Sequence, residues 1–187
     1  MIETKSLIIV FLLGVLFDSK KCNTSKNDFI IWTNSRKLKR EDFEGTKPDS
    51  SNASAGAAIR LRLNYVIKGM STSFDVRCLF FKKESWYVYS DTRRLILLHE
   101  QGHFDIGEIV ARNLRKDLSE AVKKTPVISP RRIDSISRVH TKALVDMQDL
   151  YDNETNHSLI IDEQERWNQQ IRKMLDSLDT YSANKFR

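Results

Sequence analysis

Four short apolar runs in the first half of the chain have the length and composition of β-strands. They lie at residues 29–32, 57–67, 74–81 and 86–89. In the second run, the apolar side chains from Ile59 to Ile67 alternate with Arg60, Arg62 and Asn64. This period of two predicts a strand with one buried face. Together the runs predict a small antiparallel sheet.

The second half of the chain has helical periodicity in three segments. They cover residues 91–125, 133–150 and 160–178. In the first segment, Asp91 is a candidate N-cap and Pro126 ends the pattern, while Arg112 is expected to face solvent. Gly102 and Gly107 are poor helix formers, so we expect them to allow close packing or room near a site. The chain is therefore predicted to be an α+β protein, with a sheet followed by three helices.

The N-terminus has the features of an export signal. Lys5 precedes an apolar stretch at residues 7–17, which is shorter than a comfortable membrane span. Cys22 occupies the place of a lipid-bearing cysteine, although Lys21 stands where a small residue should precede it. Cleavage, lipid attachment and an uncleaved anchor all stay open. The predicted organisation is a signal or anchor at 1–22, a polar tether at 23–28, and one domain at 29–187.

Composition narrows the class of protein. A chain of 187 residues with 40% apolar and 30% charged residues fits one globular domain. The net charge of +6 comes from lysine and arginine spread along the chain, without a basic run interleaved with aromatic residues. We therefore predict no nucleic-acid partner, and membrane contact only through the N-terminal segment. Cys78 is expected to be a buried, unpaired residue.

The main chemical signal is a His-Glu-x-x-His motif at residues 99–103, directly after an apolar run. Two histidines four apart on a helix share one face, so His99 and His103 can bind one metal ion. Zn²⁺ suits neutral imidazole ligands. Glu100 lies about 100° round the helix from His99, where its carboxylate can reach a zinc-bound water as general base. The alternative is a solvated helix that carries two histidines by coincidence.

A catalytic zinc site generally takes three protein ligands and one water, so a third ligand is expected elsewhere. Asp105 and Glu108 project away from His103 on the same helix. His140 lies within the second predicted helix, where a surface or core histidine is the commoner case. His157 follows a polar break, and a loop can turn its imidazole back toward the first helix. We predict His157 as the third ligand; the alternative is an exposed residue at the start of the third helix.

Several blocks along the chain resemble a bacterial family, domain of unknown function 922, whose members are described as predicted secreted zinc-dependent proteases. The blocks are Trp32, residues 42–45, 83–86, 97–108, 111–112 and 151–157, Gln164 and Trp167. The family pattern His-Glu-x-x-His-Phe-Asp-Ile matches residues 99–106, and Tyr-Asp-x-x-Thr-x-His matches residues 151–157. The family usually has glycine where this chain has Ser158. The resemblance implies a zincin-like fold and export to the periplasm or cell envelope.

These observations predict a zinc metallopeptidase that acts on a peptide or protein substrate. His99, His103 and His157 would hold Zn²⁺, and Glu100 would take a proton from the attacking water. Tyr151, six residues before His157, is a candidate donor to the developing oxyanion. It could equally be a buried aromatic residue at a helix end.

A function from another class stays open beside the enzyme. The chain could be a cell-envelope binding or scaffold module in which the metal only ties the long helix to the C-terminal loop. Structural zinc sites are closed by four protein ligands, whereas catalytic sites keep a water. The sequence indicates no strong fourth ligand near His157, and a structural site would not need Glu100. Both points favour the enzyme.

Overall fold

The computed structural model describes residues 3–9, 28–88, 90 and 94–183, and the described residues form two antiparallel sheets and three α-helices. The strands are β1 (Glu3–Ile9), β2 (Phe29–Ile31), β3 (Ala55–Gly56), β4 (Ile59–Lys68), β5 (Ser71–Phe81) and β6 (Trp86–Tyr87). The helices are α1 (Arg94–Lys124), α2 (Pro130–Thr155) and α3 (Ile161–Ser177). Short 3-10 turns cover Arg40–Asp42, Lys82–Glu84 and Asp179–Tyr181. In the described part of the chain, no helix combines the length and apolarity needed to cross a bilayer.

The main sheet has the order β1-β4-β5-β2, with every neighbouring pair antiparallel. The predicted alternation in β4 is confirmed, because Leu61, Leu63 and Tyr65 are all buried on one face. Arg60 is buried as well, since its guanidinium binds the Glu84 carboxylate and lies over an aromatic ring. The last predicted strand is placed differently: β6 pairs with β3 in a separate two-stranded sheet. The predicted α+β class and the antiparallel sheet before the helices are confirmed.

Helix α1 lies between the sheet on one side and helices α2 and α3 on the other. Every residue from 104 to 112 is buried. Gly107 allows the close approach to the sheet, because a Cβ atom there would lie 2.6 Å from Cys78 Sγ and 2.7 Å from a methyl carbon of Ile59. The packing role expected for Gly107 is therefore confirmed.

The expectation that Arg112 faces solvent is wrong. Arg112 and Arg115 are buried beside Glu108, whose Oε1 accepts hydrogen bonds from Arg112 Nε at 3.1 Å and Arg115 Nη1 at 3.0 Å. Arg115 also donates to the backbone oxygens of Val76 in β5 and Tyr181 near the C-terminus, each at 2.8 Å. Charged residues are buried here because a single carboxylate and several carbonyl oxygens pair with their donors.

Two helix boundaries differ from the prediction. Helix α2 starts at Pro130, where the Ser129 side chain accepts a hydrogen bond from the Arg132 backbone N–H, and it continues to Thr155 rather than ending at residue 150. The predicted N-cap Asp91, Cys22 and residues 10–27 lie outside the described residues. Strand β1 falls within the predicted export segment and pairs with β4, so this part of the segment extends the sheet.

We expect Arg115→Met to lower the free energy of unfolding by about 2–4 kcal/mol, because it leaves the buried Glu108 with one cation partner instead of two. Chemical denaturation measures the change. Arg138→Met on the exposed surface of α2 is the control and should shift stability by no more than about 0.5 kcal/mol. Equal effects of the two substitutions would contradict a stabilising role for the buried cluster.

Candidate metal centre

Side chains from α1 and α2 converge on one carboxylate oxygen. His99 Nε2 and His103 Nε2 lie 3.1 Å apart on α1, and each lies 2.9 Å from Oδ1 of Asp152 in the last turn of α2. A tetrahedral ion with ligand distances of about 2.0–2.1 Å separates its donor atoms by roughly 3.3 Å. The three donor atoms are therefore already close to the spacing that a zinc ion requires.

His157 lies at the edge of this group. Its Nδ1 is 3.4 Å from Asp152 Oδ1, and the ligand atoms of His99, Asp152 and His157 all lie within 4.8 Å of one another. The His157 side chain is 63% exposed, whereas those of His99 and His103 are largely buried. The loop thus turns this imidazole toward α1, at a more exposed position than those of the two helix histidines.

The backbone at the end of α2 explains how His157 reaches the site. Asn156, His157 and Ser158 have φ angles of 45°, 51° and 70°, in the left-handed region that favours glycine. The His157 backbone N–H donates to the Asp152 carbonyl at 3.0 Å, a bond typical of a helix that ends in this conformation. The chain therefore reverses at once and carries His157 back over Asp152. Three non-glycine residues in this region cost conformational energy, which the surrounding contacts must offset.

Glu100 is buried next to the histidines. Burial raises the pKa of its carboxyl group, and the positive charge of His103 and His99 opposes that rise. A hydrogen bond from the Ala57 backbone helps to fix the side chain. The second oxygen, Oε2, is buried without a hydrogen-bond partner among the residues that the structure describes. A buried, unpaired carboxylate oxygen is costly unless a ligand or water satisfies it.

Asp152 and His103 form the electrostatic centre of the group. Burial alone would lower the pKa of His103, but the hydrogen bond and charge of Asp152, aided by Glu100, raise it to about 9. Burial would raise the pKa of Asp152, but hydrogen bonds from His103 and His99 hold it well below its usual range. One carboxylate and three imidazoles therefore meet in one place, with the Glu100 carboxylate beside them, and the two negative charges match that of a divalent cation.

The structure does not support the oxyanion role predicted for Tyr151. Its side chain is fully buried and stacks on the His99 ring, with ring centroids 4.5 Å apart. The hydroxyl donates to the His99 backbone oxygen at 3.2 Å and accepts from Gln164 Nε2 at 2.6 Å. With its hydroxyl used in this way, Tyr151 fits the buried-aromatic alternative and packs directly on His99.

Gly102 makes the Tyr151 contact possible. A Cβ atom at Gly102 would lie 2.2 Å from the Tyr151 hydroxyl oxygen and 2.7 Å from its ring carbon Cζ. The absence of a side chain lets the ring of α2 lie directly on the surface of α1. This confirms that Gly102 provides room near the candidate site.

The remaining candidate ligands lie elsewhere. Asp105 Oδ1 accepts hydrogen bonds from Trp32 Nε1 and Gln101 Nε2, both at 2.7 Å. His140 Nε2 pairs with Asp117 Oδ2 at 2.8 Å, and Asp117 is roughly 20 Å further along α1 than His103 at 1.5 Å per residue. These positions agree with the expectation that neither Asp105 nor His140 shares a metal ion with His103.

Asp152 is the site residue that the sequence analysis missed. It was assigned to a polar break after residue 150, whereas it belongs to α2. The sequence does contain a signal, because the spacing of Gln148, Asp152 and Thr155 continues the helical period past residue 150.

Comparison with known proteins gives no match, whether to a family model, to a curated protein or to a solved structure. The fold and the site together define an α+β protein with a histidine and aspartate cluster that could hold a metal ion.

We expect Gly102→Ala and Gly107→Ala each to lower the free energy of unfolding by about 1–3 kcal/mol, because each added methyl group overlaps a packed neighbour. Only Gly102→Ala should displace Tyr151 from the His99 ring. NMR spectra of the histidine side chains should therefore show shifted His99 resonances in Gly102→Ala and unchanged ones in Gly107→Ala. Unshifted His99 resonances in Gly102→Ala would contradict the packing described above.

Proposed function

We propose that this protein is an exported zinc-dependent metallopeptidase that hydrolyses peptide bonds in a peptide or protein substrate. The observation that supports this most is the convergence of His99, His103 and Asp152 within 2.9–3.1 Å, beside a buried carboxylate oxygen of Glu100 that has no partner among the described residues. Metal-assisted hydrolysis requires this arrangement, in which converging metal ligands lie next to a general base whose carboxylate is free to accept a proton.

His99, His103 and Asp152 would hold the zinc ion and leave the fourth position to water, with His157 at the exposed edge of the site. When bound, zinc supplies Lewis acidity, which lowers the pKa of water and polarises a carbonyl group. The buried position of His99 and the contacts of Asp152 with both histidines favour these residues as the inner set. The His157 side chain is more exposed, so its imidazole can move toward or away from the ion more easily than those of His99 and His103.

Glu100 is the proposed general base. Burial raises the pKa of its carboxyl group and so makes the carboxylate a stronger proton acceptor. In this mechanism Glu100 accepts a proton from the attacking water as the oxygen bonds to the peptide carbonyl carbon. It then delivers the proton to the amine nitrogen as the carbon–nitrogen bond breaks.

The resemblance to the domain of unknown function 922 family is part of the proposal, and so is export. The φ angle of Ser158, 70°, supports the resemblance, because glycine is the usual residue at this position in the family and adopts such an angle most easily. Neither the family resemblance nor export is evidence for catalysis.

A scaffold or binding module is the second candidate, and Asp152 strengthens it. With His99, His103 and His157, this residue brings the number of protein donors to four, the number that closes a structural zinc site. In that alternative, the ion would tie α1 to the end of α2 and the following loop. Glu100 distinguishes the two functions, since a closed structural site needs no base.

Metal analysis tests the ligand set. We expect the wild type to bind one zinc ion, and His99→Ala and Asp152→Ala each to weaken the affinity by more than about 100-fold, beyond the usual effect of an outer-shell residue. His157→Ala should weaken it less, because that side chain is exposed. His140→Ala is the control and should bind zinc as the wild type does. Unchanged affinity in His99→Ala would refute the site.

Glu100→Gln tests catalysis separately from metal binding. We expect zinc to stay bound while hydrolysis of a peptide library falls by roughly 10²–10⁴-fold, the usual contribution of a general base. Product formation can be followed by mass spectrometry. If zinc-loaded wild type cleaves nothing in the library, the scaffold alternative is favoured; if Glu100→Gln cleaves as fast as the wild type, Glu100 is not the base.

A further inference from the structure

Each histidine of the motif contacts a glutamine amide with its second ring nitrogen. His99 Nδ1 lies 3.0 Å from Oε1 of Gln164 in α3, and His103 Nδ1 is hydrogen bonded to Oε1 of Gln148 in α2. The facing Nε2 atoms are the ones that meet at Asp152. The proton on a neutral imidazole can sit on either nitrogen, and only the other nitrogen can bind a metal ion.

At His99, the orientation of the amide follows from a closed series of hydrogen bonds. The Tyr151 hydroxyl donates its single proton to the His99 backbone oxygen, so it must accept from Gln164 Nε2, 2.6 Å away. Gln164 Nε2 also donates to the Asn168 side-chain oxygen at 3.0 Å. Its Oε1 therefore faces His99 Nδ1, and since an amide oxygen only accepts, Nδ1 must carry the proton.

At His103, a shorter series has the same result. Gln148 Nε2 donates to the His103 backbone oxygen at 3.1 Å, which turns Gln148 Oε1 toward His103 Nδ1. A backbone oxygen can only accept, so the amide cannot be reversed without losing this bond. In both cases the backbone carbonyl of a histidine acts through neighbouring side chains to fix Nδ1 as the nitrogen that keeps its proton when Nε2 binds a metal ion.

We propose that Gln164, held by Tyr151, and Gln148 are positioning residues that keep His99 and His103 protonated at Nδ1, so that both Nε2 lone pairs face one metal ion. The inference rests on the proposed metal site and deepens it. Neutral amides orient the rings without adding negative charge, whereas a carboxylate partner would make the imidazoles more basic. The charge of the ion is then balanced by Asp152 and Glu100 alone among these groups.

The test compares zinc affinity of full-length variants by competition with a chromogenic chelator. We expect Gln148→Leu and Gln164→Leu to bind zinc about 10–100-fold more weakly, the usual effect of losing an outer-shell partner. Gln148→Glu keeps an acceptor for Nδ1 but loses the donor to the His103 carbonyl, so it should recover only part of the affinity that Gln148→Leu loses. Gln170→Leu, on the exposed surface of α3, is the matched control and should bind zinc as the wild type does.

If Gln164→Leu fails to fold, Tyr151→Phe is the substitute, because it removes the hydroxyl that holds the Gln164 amide in place. It should also weaken zinc binding.

A second measurement reports the tautomers directly. In zinc-loaded protein with ¹⁵N-labelled histidine, two protected protons should be seen on Nδ1 of His99 and His103, and Gln148→Leu should lose protection at His103 alone. A merely structural role of Gln148 would not affect one ring selectively. Protons on Nε2, or wild-type zinc affinity in both leucine variants, would overturn the inference. If zinc binding and these protons are as expected but no peptide is cleaved, the inference stands and the proposed peptidase activity fails.

Discussion

The contact between α1 and the last turn of α2 determines the geometry of the whole site. One carboxylate oxygen, Asp152 Oδ1, lies 2.9 Å from the Nε2 atoms of both His99 and His103. Removing a charged group from water is costly unless it is paired, so this half-buried carboxylate and the largely buried histidines stabilise each other. The same oxygen marks the point at which a cation would bind, and the loop to His157 begins within the same turn.

The burial of α1 makes this arrangement rigid. Its side chains pack on the sheet through Gly107, and on Tyr151 of α2 through Gly102. The buried arginines beside Glu108 tie the far half of α1 to β5 and to the C-terminal residues. A site that must hold donor atoms to within a few tenths of an ångström benefits from a helix packed on both the sheet and the other helices.

The sequence predicted the parts that depend on local pattern. Apolar alternation in β4, the long helix before Pro126 and the paired histidines all follow from periods of 2 and 3.6 residues. The end of α2 was missed because Asp152 and Asn153 are weak helix formers, and packing on α1 overrides that preference. The solvent-facing role expected for Arg112 was wrong for a related reason, since its burial depends on Glu108 and on distant carbonyl oxygens. Polar partners that are distant in the sequence cannot be predicted from the spacing of hydrophobic residues.

The most direct test of the account is a crystal structure of the zinc-loaded protein with anomalous scattering recorded at the zinc edge. We expect one strong peak about 2.0–2.2 Å from Nε2 of both His99 and His103, with a carboxylate oxygen of Asp152 at a similar distance. A peak at another place, or none, with both histidines still hydrogen bonded to Asp152, would contradict it.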